Sequence, residues 1–170
     1  MATKQYTSDE LSDWLEEKAL SAQPYVARRN LITSDERSRS STIIGRMYFF
    51  KYDPKGKAYL PKYDKFPMCI PFKMVPNGFI GLNLHYLSVG ERTALLASLS
   101  RFRNNDRYDE STRFVINYDL LQSTYGIESL SKPCIHRYMF SHCKSRFVEI
   151  YSYEYEKAIQ LPVEDWVFKR

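Results

Sequence analysis

Apolar positions in this chain switch between helical and strand spacing, and each change of period marks an element. Near the N-terminus Leu11, Trp14, Leu15 and Ala19 form one helical stripe behind a capping box of Thr7 and Glu10, which predicts an amphipathic helix. From residue 24 to 42 the pattern disappears and the chain becomes rich in Ser and Arg, the composition of a loop or extended connector. Met47 to Tyr52 reads as an aromatic strand, ended by the turn chemistry of Asp53-Pro-Lys-Gly56. Strand patterns resume over Pro67 to Val75 and Phe79 to Leu87, and the intervening Asn77-Gly78 predicts a hairpin with a type I′ turn. Ser88 with Glu91 is a second capping box, and Leu95, Leu96, Leu99 and Phe102 predict a helix of about four turns. Further on, Thr112 to Ile116 is expected to be a strand and Asp119 to Thr124 a short helix stopped by Gly126. Ser131 with Pro133 predicts a helix carrying Ile135, Tyr138, Met139 and His142, followed by a strand from Arg146 to Tyr151 and a short helix from Ser152 to Ile159.

These elements predict an α+β fold: a small antiparallel SH3-like β-barrel or sheet over residues 45 to 87, flanking helices, and an N-terminal helical arm. Prolines 61, 67, 71 and 76 cannot donate ladder hydrogen bonds, so the strands are expected to be short, bulged or at edges. The expected division is a helix and basic arm over 1–41 and a single domain over 42–170. At 170 residues one core is the natural expectation.

Composition adds a basic surface and many rings. The chain carries 25 Lys and Arg against 20 Asp and Glu, a net charge of +5, with 14 Tyr and 10 Phe. A basic excess suits a polyanionic partner if it is clustered. Three cysteines and an N-terminus without an apolar signal core argue against a disulfide framework and secretion, and no apolar run is long enough to span a bilayer.

Candidate chemistry is sparse. Cys134, His136, His142 and Cys143 are all zinc-ligand types, but their spacing matches no usual structural zinc pattern, so no metal is expected. Nucleophilic catalysis by Cys134 or Cys143 would need a histidine in space and an electropositive pocket, and inert thiols near a core are the expectation. The Glu154-Tyr-Glu156-Lys157 run lacks the further acidic residue that two-metal chemistry would use. None of the glycines has the spacing of a phosphate-binding loop. Asn83 and His85 are expected to be a satisfied polar pair that fixes a local turn. The sequence thus predicts a non-enzymatic protein without a cofactor, a membrane or a small-molecule substrate. What remains is basic: Lys132, Arg137, Lys144 and Arg146, with no acidic residue between them, and Arg28, Arg29, Arg37 and Arg39 of the arm. Arg137 and Lys144, seven apart, are expected on one helical face. Together these side chains are the candidate nucleic-acid contacts.

Several ordered pieces of sequence carry a resemblance. They are Met47-Tyr48 with Tyr52-Asp-Pro-Lys55, Leu60-Pro61 with Tyr63-Asp64, Phe66-Pro67, Gly78-Phe-Ile-Gly-Leu-Asn-Leu-His-Tyr-Leu87, Tyr108-Asp-Glu-Ser-Thr-Arg113, Lys132-Pro-Cys134, Lys144-Ser-Arg146 and Leu161-Pro162. From Gly45 to about Asp165 the chain resembles a family of small virion proteins of T-even-type tailed bacteriophages, often labelled DNA end protectors. The resemblance implies a virion structural protein, assembled in the bacterial host cytoplasm, that binds or caps the ends of packaged double-stranded DNA at the head, portal or neck. It also implies a longer basic tail than this sequence has, so part of any DNA contact is expected from the arm. An adaptor at the tail, neck or baseplate that binds only other virion proteins remains the alternative.

Overall fold

Met47, Tyr48 and Phe49 are consecutive, bulky and all buried, because the strand they form (β2, Met47–Phe49) has protein packed on both of its faces. A computed structural model describes residues 37–161 and 163–169. Its main sheet is antiparallel and six-stranded: β1 (Ser38–Arg39), β2, β4 (Met68–Val75), β5 (Gly78–Asn83), β6 (Ile135–Met139) and β7 (Phe147–Ile150), in the order β1-β7-β2-β4-β5-β6. Two further strands, β3 (Lys62–Asp64) and β8 (Trp166–Phe168), pair as a separate ribbon. The fold is α+β, as expected, but the sheet is open. Its edge strands β1 and β6 do not pair with each other among the described residues, so the barrel does not close.

One face carries the main core. Met47, Phe49, Met68, Ile70, Phe72 and Leu82 from the sheet meet Leu95, Leu96 and Leu99 of α1 (Val89–Leu99) and Leu121 of α2 (Tyr118–Ser123). Ile127 of α3 (Ile127–Ser131) and Tyr155 and Ala158 of α4 (Tyr155–Ala158) complete it. Each leucine withdrawn from water contributes about 1.5–3 kcal/mol. The α1 start is the predicted capping box: Ser88 N–H donates to Glu91 Oε2 at 2.8 Å and Glu91 N–H donates to Ser88 Oγ at 3.4 Å. The opposite face holds a second, aromatic cluster of Tyr48, Phe50, Tyr52, Phe79, Tyr138 and Phe147, with Cys69 among them. Phe50 is its hub, its ring centroid 5.1 Å from that of Phe147 and 5.2 Å from that of Tyr138, both edge-on.

Four local expectations change. The hairpin turn sits one residue early, at Pro76-Asn77, with Val75 paired to Gly78. Pro76 fixes a negative φ and Asn77 has φ 62°, the type II order of signs rather than type I′. Strand β5 stops at Asn83, and Leu84–Tyr86 make a 3₁₀ turn. Thr112 to Ile116 forms a single bridge, Phe114 with Arg103, rather than a strand. Most consequentially, the segment expected to be a helix after Ser131 is strand β6, between 3₁₀ turns at Lys132–Cys134 and Phe140–His142. Its register on β5 sets Tyr138 opposite Phe79 and His136 opposite Gly81. A side chain at Gly78 would run into the Tyr138 carbonyl, so β6 can approach β5 there only because that position lacks a Cβ, and one at Gly81 would run into Cys69 Sγ of β4 on the other side of β5. The helix expected after Thr7, and Arg28 and Arg29, lie outside the described residues.

Candidate nucleic-acid interface

Two lysine- and arginine-rich segments distant in sequence are zipped side by side. Tyr52 bridges to Cys143, Lys144 N–H donates to the Lys51 carbonyl at 2.8 Å, and Asp53 N–H donates to the His142 carbonyl at 3.0 Å. Side chains reinforce the seam: Ser145 Oγ accepts from Lys51 N–H at 2.8 Å, and Tyr52 Oη accepts from Met139 N–H at 3.2 Å. His142 Nδ1–H donates to the Asp53 carbonyl at 2.8 Å, which sets the tautomer of that ring.

The charge of these two segments accounts for more than the whole excess of the chain. Residues 51–65 and 132–146 contain nine basic and two acidic residues, a net of seven positive, whereas the remainder holds sixteen basic against eighteen acidic. Both acids are spoken for. Lys57 bonds the Asp53 carboxylate at 3.0 Å and holds its pKa below the ordinary value. Asp64 is buried: its Oδ2 accepts from His85 Nδ1 at 2.6 Å and Asn83 Nδ2 at 3.2 Å, and its Oδ1 from Phe66 N–H at 2.9 Å. Asn83 Oδ1 in turn accepts from His85 N–H at 3.1 Å, the local turn expected of this pair. Asp64 is thus withdrawn from solvent, and Asp53 reaches it only as an ion pair with Lys57, so the unbalanced charge that the two segments present is cationic.

The candidate contacts divide into three groups. Lys132, Arg137, Lys144 and Arg146 are all exposed, on the turn before β6, on β6 itself, and in the segment leading to β7. Arg137 and Lys144 share no helical face, since one is on a strand and the other in the irregular segment before β7; Arg137 Nη2 donates to the Pro76 carbonyl at 3.2 Å. Arg37 and Arg39 are engaged in the fold. Arg37 is buried with its Nη1 at 2.7 and 2.8 Å from the two oxygens of Glu154, and Arg39 Nε bonds Glu149 at 3.1 Å beside Arg46 at 2.6 Å. Arg28 and Arg29 lie outside the described residues. Sequence reasoning missed Lys51, Lys55, Lys57, Lys62 and Lys65. Their close spacing was a signal, but a linear charge count cancels two of them against Asp53 and Asp64.

Between the 52–60 loop, β3 and the outer edge of β6 lies a cleft of about 290 Å³. Tyr63, Tyr86, His136 and Leu60 line it, with Lys55 and Arg137. The Tyr86 and His136 rings stack at 4.1 Å, Tyr86 meets Trp166 edge-on at 4.8 Å, and Lys62 Nζ lies 4.9 Å from the Trp166 ring centroid. Burial lowers the His136 pKa from 6.5, so the ring is neutral at pH 7.

Other reactive groups are dispersed. Cys134 sits in the main core and Cys143 against the aromatic cluster, and burial pushes both thiols up to about 12, which leaves them protonated near neutrality. His136 and His142 are on the cleft and the seam respectively. Among the described residues no three His, Cys, Asp or Glu side chains gather as a metal site.

The family model described as the phage T4 terminal DNA protecting protein matches residues 25–170. No curated protein and no solved structure matches the chain.

Proposed function

This chain belongs to the phage T4 terminal DNA protecting protein family, and from that premise we propose that it is a non-enzymatic virion protein that binds and caps the ends of packaged double-stranded DNA at the head, portal or neck of a phage. The observation that carries the reading is the seam that joins residues 51–53 to 142–144, and so ties together two segments, 51–65 and 132–146, with seven net positive charges between them. Lysines and arginines in that arrangement neutralise backbone phosphates and release counterions, with no need for a cofactor, a metal or a small-molecule substrate.

The test is binding to linear blunt-ended and to circular DNA over a range of salt. End capping predicts tighter binding to linear molecules and an affinity that falls steeply with salt, each phosphate contact adding about 0.9 to the logarithmic slope. Equal affinity for the two forms would reduce the reading to general DNA binding, and no affinity for either would end it.

One feature favours a second reading, that of an adaptor for other virion proteins. Strand β6 pairs only with β5 among the described residues, and an open edge of this kind can accept a strand from a partner. On that reading the cationic surface docks an acidic portal, neck or tail neighbour.

A further inference from the structure

Contacts to the internal phosphodiesters cannot by themselves tell a DNA end from its middle, because those groups are the same in both. Within a duplex every base is covered by its neighbours, whereas the last nucleotide of a strand has a free base face and can leave the stack at little cost. A surface that takes a base as well as a phosphate can therefore recognise an end.

The cleft beside β6 offers such a surface. Its wall is made of rings: Tyr63 on β3, and the stacked pair Tyr86 and His136 held 4.1 Å apart. Leu60 adds an apolar edge. The unpaired edge of β6 forms one side, where His136 and Arg137 lie. Lys55 and Arg137 are both exposed at the cleft, and it opens on the seam that gathers the positive charge. Rings that stack a base beside cations that hold its phosphate are the arrangement by which proteins take single-stranded nucleotides. We propose that this cleft receives the terminal, unpaired nucleotide of a DNA strand, with the base against Tyr63 and the Tyr86–His136 stack and the phosphate on Lys55 and Arg137. The proposal rests on the end-capping reading and gives it a recognition element.

The full chain should be photocrosslinked to duplexes carrying 5-iododeoxyuridine either at a strand end or at an interior position. The terminal probe is expected to crosslink to Tyr63, Tyr86 or His136, and the interior probe to none of them. In parallel, Tyr63→Ala should lower the preference for linear over circular DNA about ten-fold, leave affinity for circular DNA unchanged, and be rescued by Tyr63→Phe, which keeps the ring. If Tyr63→Ala loses its fold by circular dichroism, Leu60→Glu replaces it: that side chain is 38 % exposed, and a carboxylate there repels a phosphate. Loss of end preference with circular binding intact supports the cleft. Wild-type end preference that survives both substitutions, or terminal crosslinks outside the cleft, overturns this inference and leaves end capping standing. Absence of end preference in the wild type overturns both.

Discussion

At the scale of single residues, Asp64 organises more than its position in the sequence suggests. Its carboxylate accepts from Asn83, from His85 and from the Phe66 amide, all in buried surroundings. Asp64→Leu would remove the acceptor and strand three buried donors, at a cost of about 3 kcal/mol, read as a lower urea midpoint with an unchanged slope. Only half of this group was legible. Asn83 and His85 are two apart and read as a local polar pair, whereas their contacts with Asp64 cross 19 and 21 positions that nothing in the local pattern joins. His136 gives a pH prediction. Burial lowers its pKa, against weaker upward pulls from the Pro133 carbonyl and Asp64, so the unfolded chain takes up the proton first as pH falls. Its contribution to stability is complete above the unfolded value of 6.5 and is lost as pH drops toward the folded one. His136→Phe should flatten the stability profile of the wild type over that interval, as measured by denaturant midpoints.

Elements fixed by short-range chemistry were legible, and those fixed by distant partners were not. The start of α1 needed only Ser88 and Glu91, three residues apart, and was predicted as it stands. The segment 135–139 fits two periods at once. Ile135, Tyr138, Met139 and His142 have helical spacing behind Pro133, yet Ile135, Arg137 and Met139 also alternate with His136 and Tyr138. The sheet decides, because Gly78 of β5 lets the backbone of β6 at Tyr138 and Met139 come close. Gly78→Ala should force β6 away from β5, destabilise the fold by about 1–3 kcal/mol, and speed hydrogen exchange of the β6 amides ahead of those in β2. The turn is a second check: Asn77→Gly should be tolerated at φ 62°, and Asn77→Pro should break the hairpin, since proline cannot take a positive φ.

For the molecule as a whole, the sequence gives the total charge and the fold decides where it is felt. Arg37 and Arg39, grouped with the phosphate contacts by composition alone, are held in ion pairs: Arg39 of β1 with Glu149 of β7, and Arg37 just before β1 with Glu154 in the turn that follows β7. Asp64, which a linear count sets against a lysine, is instead buried on Asn83 and His85. Charge reversal at Arg137 and Lys144 should therefore weaken DNA binding regardless of base sequence and reduce the logarithmic salt slope by about 2, because both are exposed and carry no base information. Two truncations separate the roles of the arginines. Removing residues 1–36 takes away Arg28 and Arg29 and keeps β1. Removing 1–41 also takes Arg37 from Glu154, a carboxylate left 1 % exposed, and Arg39 from Glu149. The longer deletion should be less stable than the shorter by about 3–5 kcal/mol, the cost of a buried charge without its partner, and the shorter one should show the larger part of any loss in DNA affinity. Equal stability of the two would mean that the Arg37–Glu154 pair does not hold the sheet edge. If the charge reversals and both truncations spare DNA affinity yet prevent incorporation into particles, the cationic seam is a docking face for an acidic virion protein.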